Sequence, residues 1–225
     1  MRPTAAPGQP PPTVPMTPAN SRNGKRMAAG GLFLLGGTLS LTSTVLAWWS
    51  LRNPGGTVSF YTYNIQTSGN GASNSSSYAA AGLGHVGGMY DAILALVVIA
   101  GILGVVAGLI SLRNGMGRGS PSRKGTVKRL AIATLVLALF AVALAPAMQP
   151  WVLHQTPGNC GGMSAPTPCA SFWGSETVLG NSYSWGAAAG WYLALGALIV
   201  VVMGVILWAL GRDRSRPAPM DASMS

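Results

Sequence analysis

Four long apolar runs, separated by polar segments, dominate the pattern of the chain. They cover about residues 27–50, 86–112, 127–149 and 186–210. A helix of roughly 20 apolar residues crosses the hydrocarbon core of a membrane, and in lipid the backbone must form its hydrogen bonds within the segment. The pattern therefore predicts four transmembrane helices. The alternative, a soluble four-helix bundle, requires polar outer faces at helical period, and these runs have none.

Two polar and almost uncharged loops, 51–85 and 150–185, join the first helix to the second and the third to the fourth. In the first loop a turn signal, Asn53-Pro54-Gly55-Gly56, precedes a stretch rich in β-branched and aromatic residues, 57–65. This stretch predicts a strand paired with a second strand of the loops, and we expect 68–77 to be flexible. The predicted fold class is all-α transmembrane: a four-helix bundle with a small extracytoplasmic β layer from the two outer loops.

The remaining segments flank the helices. Residues 1–26 are rich in proline and have almost no large apolar side chains, which predicts a disordered cytoplasmic tail. Its PxxP spacings fit a recognition site or, as we favour, a plain linker. Residues 113–126 form an inner loop and 211–225 a second cytoplasmic tail. The first apolar run is too long for a cleaved signal peptide, so we expect it to remain as an anchor.

Basic residues set the orientation. The formal net charge is +10, and all 14 basic residues except Arg52 lie in the tails or at the inner connection. Cytoplasmic loops carry the excess of Lys and Arg, so both termini are predicted on the cytoplasmic side of a cell membrane. The basic excess is thus a topology signal first and an attraction to anionic membrane lipids second. We expect no nucleic acid partner.

Few side chains can carry chemistry. Four carboxylates and two histidines stand in no catalytic or phosphate-binding pattern, so we expect no enzyme, no cofactor and no metal. Asp91 lies inside the second predicted helix, where an ionisable residue is a functional candidate. We favour an ion pair between Asp91 and Arg52, because buried charges are normally paired. The alternative is a proton or ion site at Asp91.

The second outer loop holds both cysteines of the chain, Cys160 and Cys169. Two cysteines close in sequence on the non-cytoplasmic side indicate a disulfide. The alternative is a copper site with His154 and Met163 as further ligands, since soft sulfur and imidazole ligands suit copper. In the first loop, Asn74-Ser75-Ser76 forms a glycosylation sequon.

Small and aromatic residues mark the predicted helices. Small residues let membrane helices approach closely, and a face left unused inside the bundle could bind another integral membrane protein or a second copy. Trp and Tyr are enriched at membrane interfaces. The predicted packing glycines are Gly101, Gly104, Gly108, Gly186 and Gly190, and the predicted interfacial aromatics are Trp48, Trp49, Trp151 and Trp185.

Trp48-Trp49-Ser50-Leu51, followed by the predicted strand 58–65, resembles the opening of the first outer loop of claudin-like and other tetraspan proteins. The resemblance implies four helices, internal termini and an outer strand layer. The first loop lacks the Gly-Leu-Trp and two cysteines of claudins, and the second lacks the Cys-Cys-Gly of tetraspanins. A junction-forming function would rest on analogy of fold alone.

Three functions are compatible with these features. The first is a non-catalytic accessory or structural subunit that packs against other membrane proteins through its Gly/Ala faces. The second is a claudin-like adhesion or cell-envelope protein that acts through its outer loops. The third is a small transporter or channel that uses Asp91. The absence of a polar helix face leading to Asp91 disfavours the third.

Overall fold

The computed structural model describes residues 19–116, 123–155 and 168–211. Residues 1–18 and 212–225 of the predicted tails, together with Cys160 and Met163, lie outside the described residues. Residues 19–26, which were predicted to belong to the disordered tail, are helical. Four helices and six strands occur in this order: α1 (Ala19–Ser43), β1 (Trp49–Asn53), β2 (Gly56–Phe60), β3 (Ile65–Gly69), β4 (Ala72–Ser76), α2 (Gly84–Gly115), α3 (Arg123–His154), β5 (Gly174–Val178), β6 (Asn181–Ala187) and α4 (Ala189–Leu210).

Three of these helices are long and apolar enough to cross a membrane: Gly84–Gly115, Gly125–His154 and Ala189–Leu210. Helix α1 is not among the three, because its first turns carry basic residues and it ends at Ser43 rather than at the predicted residue 50. Near this end, the hydroxyls of Thr42, Ser43 and Thr44 donate to backbone carbonyls three or four residues earlier. Such bonds compete with helix continuation.

Helix α1 packs against both α2 and α4, and α3 packs against α2 and, less extensively, against α4. The α1–α2 contact brings the two backbones together. A Cβ atom on Gly37 would lie 2.7 Å from the carbonyl oxygen of Gly101, and one on Gly108 would lie 2.9 Å from that of Gly30. Because no side chain separates the helices there, the small residues of α2 face α1.

All six strands form one antiparallel sheet in the order β4-β3-β2-β1-β6-β5. Strand β1 follows α1 and strand β6 leads into α4, and their helix-proximal residues Trp49 and Ala187 are paired. The amide of Gly190 also donates to the carbonyl of Ala47 at 2.7 Å. The sheet is therefore anchored on two adjacent helices.

Three sequence predictions need correction. The single strand expected at 57–65 is two strands, β2 and β3, joined by a tight connection. The segment 68–77, expected to be flexible, forms most of the β3–β4 hairpin, because Asn70-Gly71 closes a two-residue turn. Gly186 lies on β6, since α4 begins only at Ala189, so Gly186 and Gly190 do not form one helical face.

An aromatic core lies between the sheet and the adjoining helices. Trp49 and Phe60 meet edge to face with their ring centroids 5.0 Å apart, and Tyr78 stacks on Tyr90 at 5.5 Å. Phe60 also stacks on Tyr90 at 6.4 Å, and this contact ties β2 to α2. Buried members of this core include Trp48, Trp49, Phe60, Tyr78, Tyr90, Phe172, Trp185 and Trp191.

Candidate interaction surface on the six-stranded sheet

Two-residue turns close the hairpins at both edges of the sheet. The β3–β4 turn is Asn70-Gly71, with φ angles of +50° and +78°, and the β5–β6 turn is Leu179-Gly180, with φ angles of +51° and +80°. Positive φ at both central positions is the type I′ geometry, which favours Asn-Gly because its twist matches the flanking strands. The first hairpin follows this preference, whereas the second places leucine at the first position.

Leu179 is 97% exposed at the tip of its hairpin. The left-handed conformation places the Cβ of an L-residue too close to the following carbonyl oxygen, at a cost of roughly 1–2 kcal/mol. A side chain so exposed gains almost no burial within the protein to offset this cost. Leu179 is thus both strained and unpacked, and local turn chemistry does not explain its presence.

The strands themselves are polar but nearly uncharged. Arg52 on β1 and Glu176 on β5 are the only charged residues of the six strands. Hydroxyl and amide side chains, including Thr57, Thr67 and Asn74, line an open groove of about 330 Å³ over β1 to β4. Hydrogen bonding, rather than ion pairing, is therefore what this surface offers to a partner.

Tryptophan N–H groups hold the base of the sheet. Trp48 Nε1 donates to the carbonyl oxygen of Ser43 at 2.9 Å, and Trp49 Nε1 donates to that of Phe172 at 2.8 Å. Ser43 ends α1, so its carbonyl lacks a partner within the helix. Both indoles are buried. Their rings and N–H groups are used in the interior of the protein, and their predicted place at the membrane interface stays a prediction.

Trp185 is likewise buried, with Nε1 donating to the carbonyl oxygen of Ser171 at 3.1 Å. Trp151, by contrast, is 56% exposed on α3. For both residues the interfacial role stays a prediction. Three of the four tryptophans are therefore buried and one is exposed, a difference that the sequence pattern did not predict.

A fifth indole compensates for a proline inside α3. Pro146 has no N–H group, so the carbonyl of Val142, four residues earlier, loses its helical donor. Trp191 Nε1 on α4 donates to this carbonyl at 2.9 Å. The unpaired carbonyl follows from the sequence, but which side chain satisfies it does not. This bond joins α3 and α4, whose contact is less extensive than that between α2 and α3.

Tyr78 links the sheet to α2. Its hydroxyl donates to the carbonyl oxygen of Tyr61, and its ring lies over Gly87, where a Cβ atom would come within 2.7 Å of the Tyr78 Cβ. Burial raises the pKa of the Tyr78 hydroxyl well above its usual range, and the negative charge of Asp91 raises it further. Sequence reasoning did not single out this residue.

The predicted partners Arg52 and Asp91 do not meet. Arg52 lies on β1, opposite Thr57 and Ser184, and Asp91 lies on α2; both side chains are exposed. Among the residues that the structure describes, no ion pair joins them. Both charges lie on the surface of the protein, so the burial on which the predicted pair was based is not observed.

The remaining predicted sites divide between described and undescribed residues. Cys169 is buried and is not a free thiol; because Cys160 lies outside the described residues, their pairing stays a prediction. Asn74 is exposed on the edge strand β4, and its glycosylation also stays a prediction. Within the described ranges, no group of three or more His, Cys, Asp or Glu side chains could hold a metal ion.

The predicted packing glycines have different surroundings. Gly101, Gly104 and Gly108 each lie against residues of α1, and Gly190 lies against Trp48 and the carbonyls of Leu46 and Ala47. Gly186 lies against Trp173 at the base of the sheet. All five positions are in close contact within the molecule, so they provide no surface for another protein.

No protein-family model and no curated protein sequence matches this chain. The resemblance to claudin-like proteins therefore stays a prediction.

Proposed function

We propose that this chain is a non-catalytic, multi-pass membrane protein that binds a partner protein of the cell envelope through the tip of the β5–β6 hairpin. The observation that carries the proposal is Leu179, an almost fully exposed apolar residue in a left-handed conformation. Strained residues without a structural reward mark functional sites more often than chance.

The proposal includes four membrane crossings, with both termini in the cytoplasm and the sheet outside. Three apolar helices and the position of the basic residues support it. The close packing of α1 between α2 and α4 supports the fourth crossing. The exposed apolar side chains on the helices suit contact with lipid: Leu35, Ile99, Ile102, Val106, Leu109, Ile132, Val136, Leu139, Phe140, Ile199, Val202, Met203 and Ile206.

Topology is tested by labelling single introduced cysteines in intact cells with a membrane-impermeant maleimide, in a background where Cys160 and Cys169 are serine. A cysteine at Ser73 on β4 should label from outside. A cysteine at Ser215 in the C-terminal tail should label only after the membrane is opened. Labelling of both sites in intact cells would contradict the proposed orientation.

Other mechanisms have less support. Asp91 is one exposed carboxylate on the surface of α2, which does not favour a transport path enclosed by the helices. An accessory subunit that binds its partner through glycine faces is disfavoured because those glycines pack internally. An accessory subunit that binds through the sheet remains within the proposal, as does a claudin-like adhesion protein.

We also propose that Cys160 and Cys169 form a disulfide in the segment that precedes β5. Cys169 is buried and is not a free thiol, which supports this pairing. Closing such a short loop stabilises the folded chain by roughly 2–3 kcal/mol in the chain-entropy model. The bond would therefore restrain the segment that leads into the β5–β6 hairpin.

Co-purification tests the proposed function. The wild-type chain, Leu179→Asn and Asn70→Asp are purified from native membranes in mild detergent, and bound proteins are quantified by mass spectrometry. The wild type and Asn70→Asp, which changes the other hairpin tip but keeps a turn-forming residue, should retain the same partner. Leu179→Asn should lose it. A partner retained equally by all three chains, or recovered with none, would contradict the proposal.

A further inference from the structure

A cleft between α2 and α3 lies near the ends of these helices that adjoin the sheet. It has a volume of about 360 Å³ and is lined by His85, Met89, Met148, Trp151 and Gln155, with aliphatic side chains around them. His85 is one of the two histidines of the chain. The cleft therefore combines an imidazole, two thioethers and an indole. Both methionines also pack in the hydrophobic core, but the proposed function does not use this set.

Helical spacing places these groups in pairs. His85 and Met89 are four residues apart on α2, and Met148 and Trp151 are three apart on α3, so each pair lies on one face of its helix. His85 is exposed at the start of α2, whereas Met89 is buried. An ion could therefore enter at His85 and meet sulfur further in. The unbranched methionine side chains can adjust to reach a common centre.

The chemistry of the lining selects the ligand. Thioether sulfur is a soft, neutral donor that suits Cu(I), and imidazole suits copper as well. Within the cleft lining there is no carboxylate to neutralise a hard divalent cation. The exposed indole of Trp151 can face a cation with its ring, an interaction that strengthens when the cation is desolvated.

We propose that this cleft binds one soft monovalent cation, Cu(I) or its analogue Ag(I), through His85 Nδ1 or Nε2 and the sulfur atoms of Met89 and Met148, with Trp151 beside the ion. Binding removes water from the cation, and this is costly unless other ligands replace it. Here the imidazole and the two sulfur atoms replace the water. This binding is independent of partner recognition at Leu179.

Silver binding tests the site, because Ag(I) needs no reductant and leaves any disulfide intact. The full-length protein, purified in detergent and treated with N-ethylmaleimide to block free thiols, is titrated with Ag(I) by calorimetry in chloride-free buffer. We expect one ion per chain. Met89→Leu, Met148→Leu and His85→Asn should each weaken binding by about tenfold or more, since each removes a ligand.

The controls separate the site from general methionine binding and from misfolding. Met203→Leu changes a methionine that is 51% exposed on α4 and should leave binding unchanged. Methionine-to-leucine changes nearly conserve volume, and equal melting temperatures will verify the fold. Ag(I) should also quench tryptophan fluorescence, and Trp151→Phe should remove this quenching. Absence of stoichiometric binding, or equal affinity in wild type and the Met89→Leu/Met148→Leu double variant, would overturn the proposal.

Discussion

The α1–α2 contact and the tip of the β5–β6 hairpin use their residues in opposite ways. In the contact, glycines that could have formed a surface for other proteins are enclosed by a neighbouring helix; Gly37, for example, leaves no room for a Cβ atom. At the tip, Leu179 is large and apolar but touches almost nothing. One region is complete within the chain, and the other is the region at which we propose that a partner binds.

This difference teaches that residue type alone does not identify an interaction surface. Small residues in membrane helices are a signal of packing, yet the packing here is internal. A single leucine in a loop attracts no notice in the sequence, yet its conformation and exposure distinguish it. A residue indicates an interaction surface when the fold leaves its side chain without packing contacts, whatever its type.

The largest expected effect comes from breaking the α1–α2 contact. Gly37→Val places side-chain atoms against the backbone of α2, where even a Cβ atom would lie 2.7 Å from the Gly101 oxygen. Overpacking of this kind should lower the free energy of unfolding by about 3 kcal/mol, measured by denaturation in detergent. The matched control is Gly31→Val on the same helix, where nothing lies within 4 Å. Equal losses in the two variants would contradict the assigned packing.

The next largest effect concerns the hydrogen bond from Trp191 Nε1 to the Val142 carbonyl of α3. Trp191→Phe keeps most of the ring but leaves the Val142 carbonyl without its donor. A buried, unsatisfied acceptor should lower stability by about 1–3 kcal/mol. Trp151→Phe, at an exposed indole on α3, should lower it much less. A Trp191→Phe variant as stable as the wild type would show that the carbonyl finds another donor.

A reciprocal exchange at the hairpin tips has a smaller effect on stability. Leu179→Asn should stabilise the fold and Asn70→Leu should destabilise it, each by about 1 kcal/mol, because Asn tolerates positive φ better than leucine. Chemical denaturation of the three chains in the same detergent measures both changes. If Leu179→Asn destabilises the protein, leucine makes contacts within the molecule and the comparison fails.

The smallest effect is the pH dependence due to Tyr78. The folded state raises the pKa of the Tyr78 hydroxyl above the usual tyrosine value of about 10. Below about pH 10 the hydroxyl is protonated in both the folded and the unfolded chain, so it causes no change of stability with pH. Above that pH the unfolded chain ionises Tyr78 and the folded chain does not, so stability falls as pH rises. The fall, followed by denaturation at pH 9 to 11, should be shallower in Tyr78→Phe. An equally steep fall in that variant would exclude Tyr78 as its source.

Periodicity and length in the sequence predicted helices at all four apolar runs, since apolar stretches of this length have few alternatives. Turn signals predicted strands in the first outer loop but not their number, because the chain reverses again between Phe60 and Ile65. The pairing of β1 with β6, in which Trp49 lies opposite Ala187, joins segments more than 100 residues apart, and local pattern carries no information about such pairing.

The candidate site was harder to predict. Trp48 and Trp49 have the composition of an interfacial belt, and only the fold shows that their N–H groups meet carbonyls in the interior. Pro146 could have indicated an unpaired carbonyl at Val142. Leu179 could have been noticed as a non-preferred residue before Gly180 in a two-residue turn, once the flanking strands were assigned.

The most direct test of recognition at the tip of the β5–β6 hairpin is photo-crosslinking in native cells. A photoreactive amino acid at the exposed position of Thr177 on β5 is compared in chains with Leu179 and with Leu179→Asn, and a second position, Ser73 on β4, serves as a control. We predict one dominant adduct from position 177 that disappears in Leu179→Asn and is absent from position 73. No adduct from position 177, or one that Leu179→Asn leaves unchanged, would contradict the account.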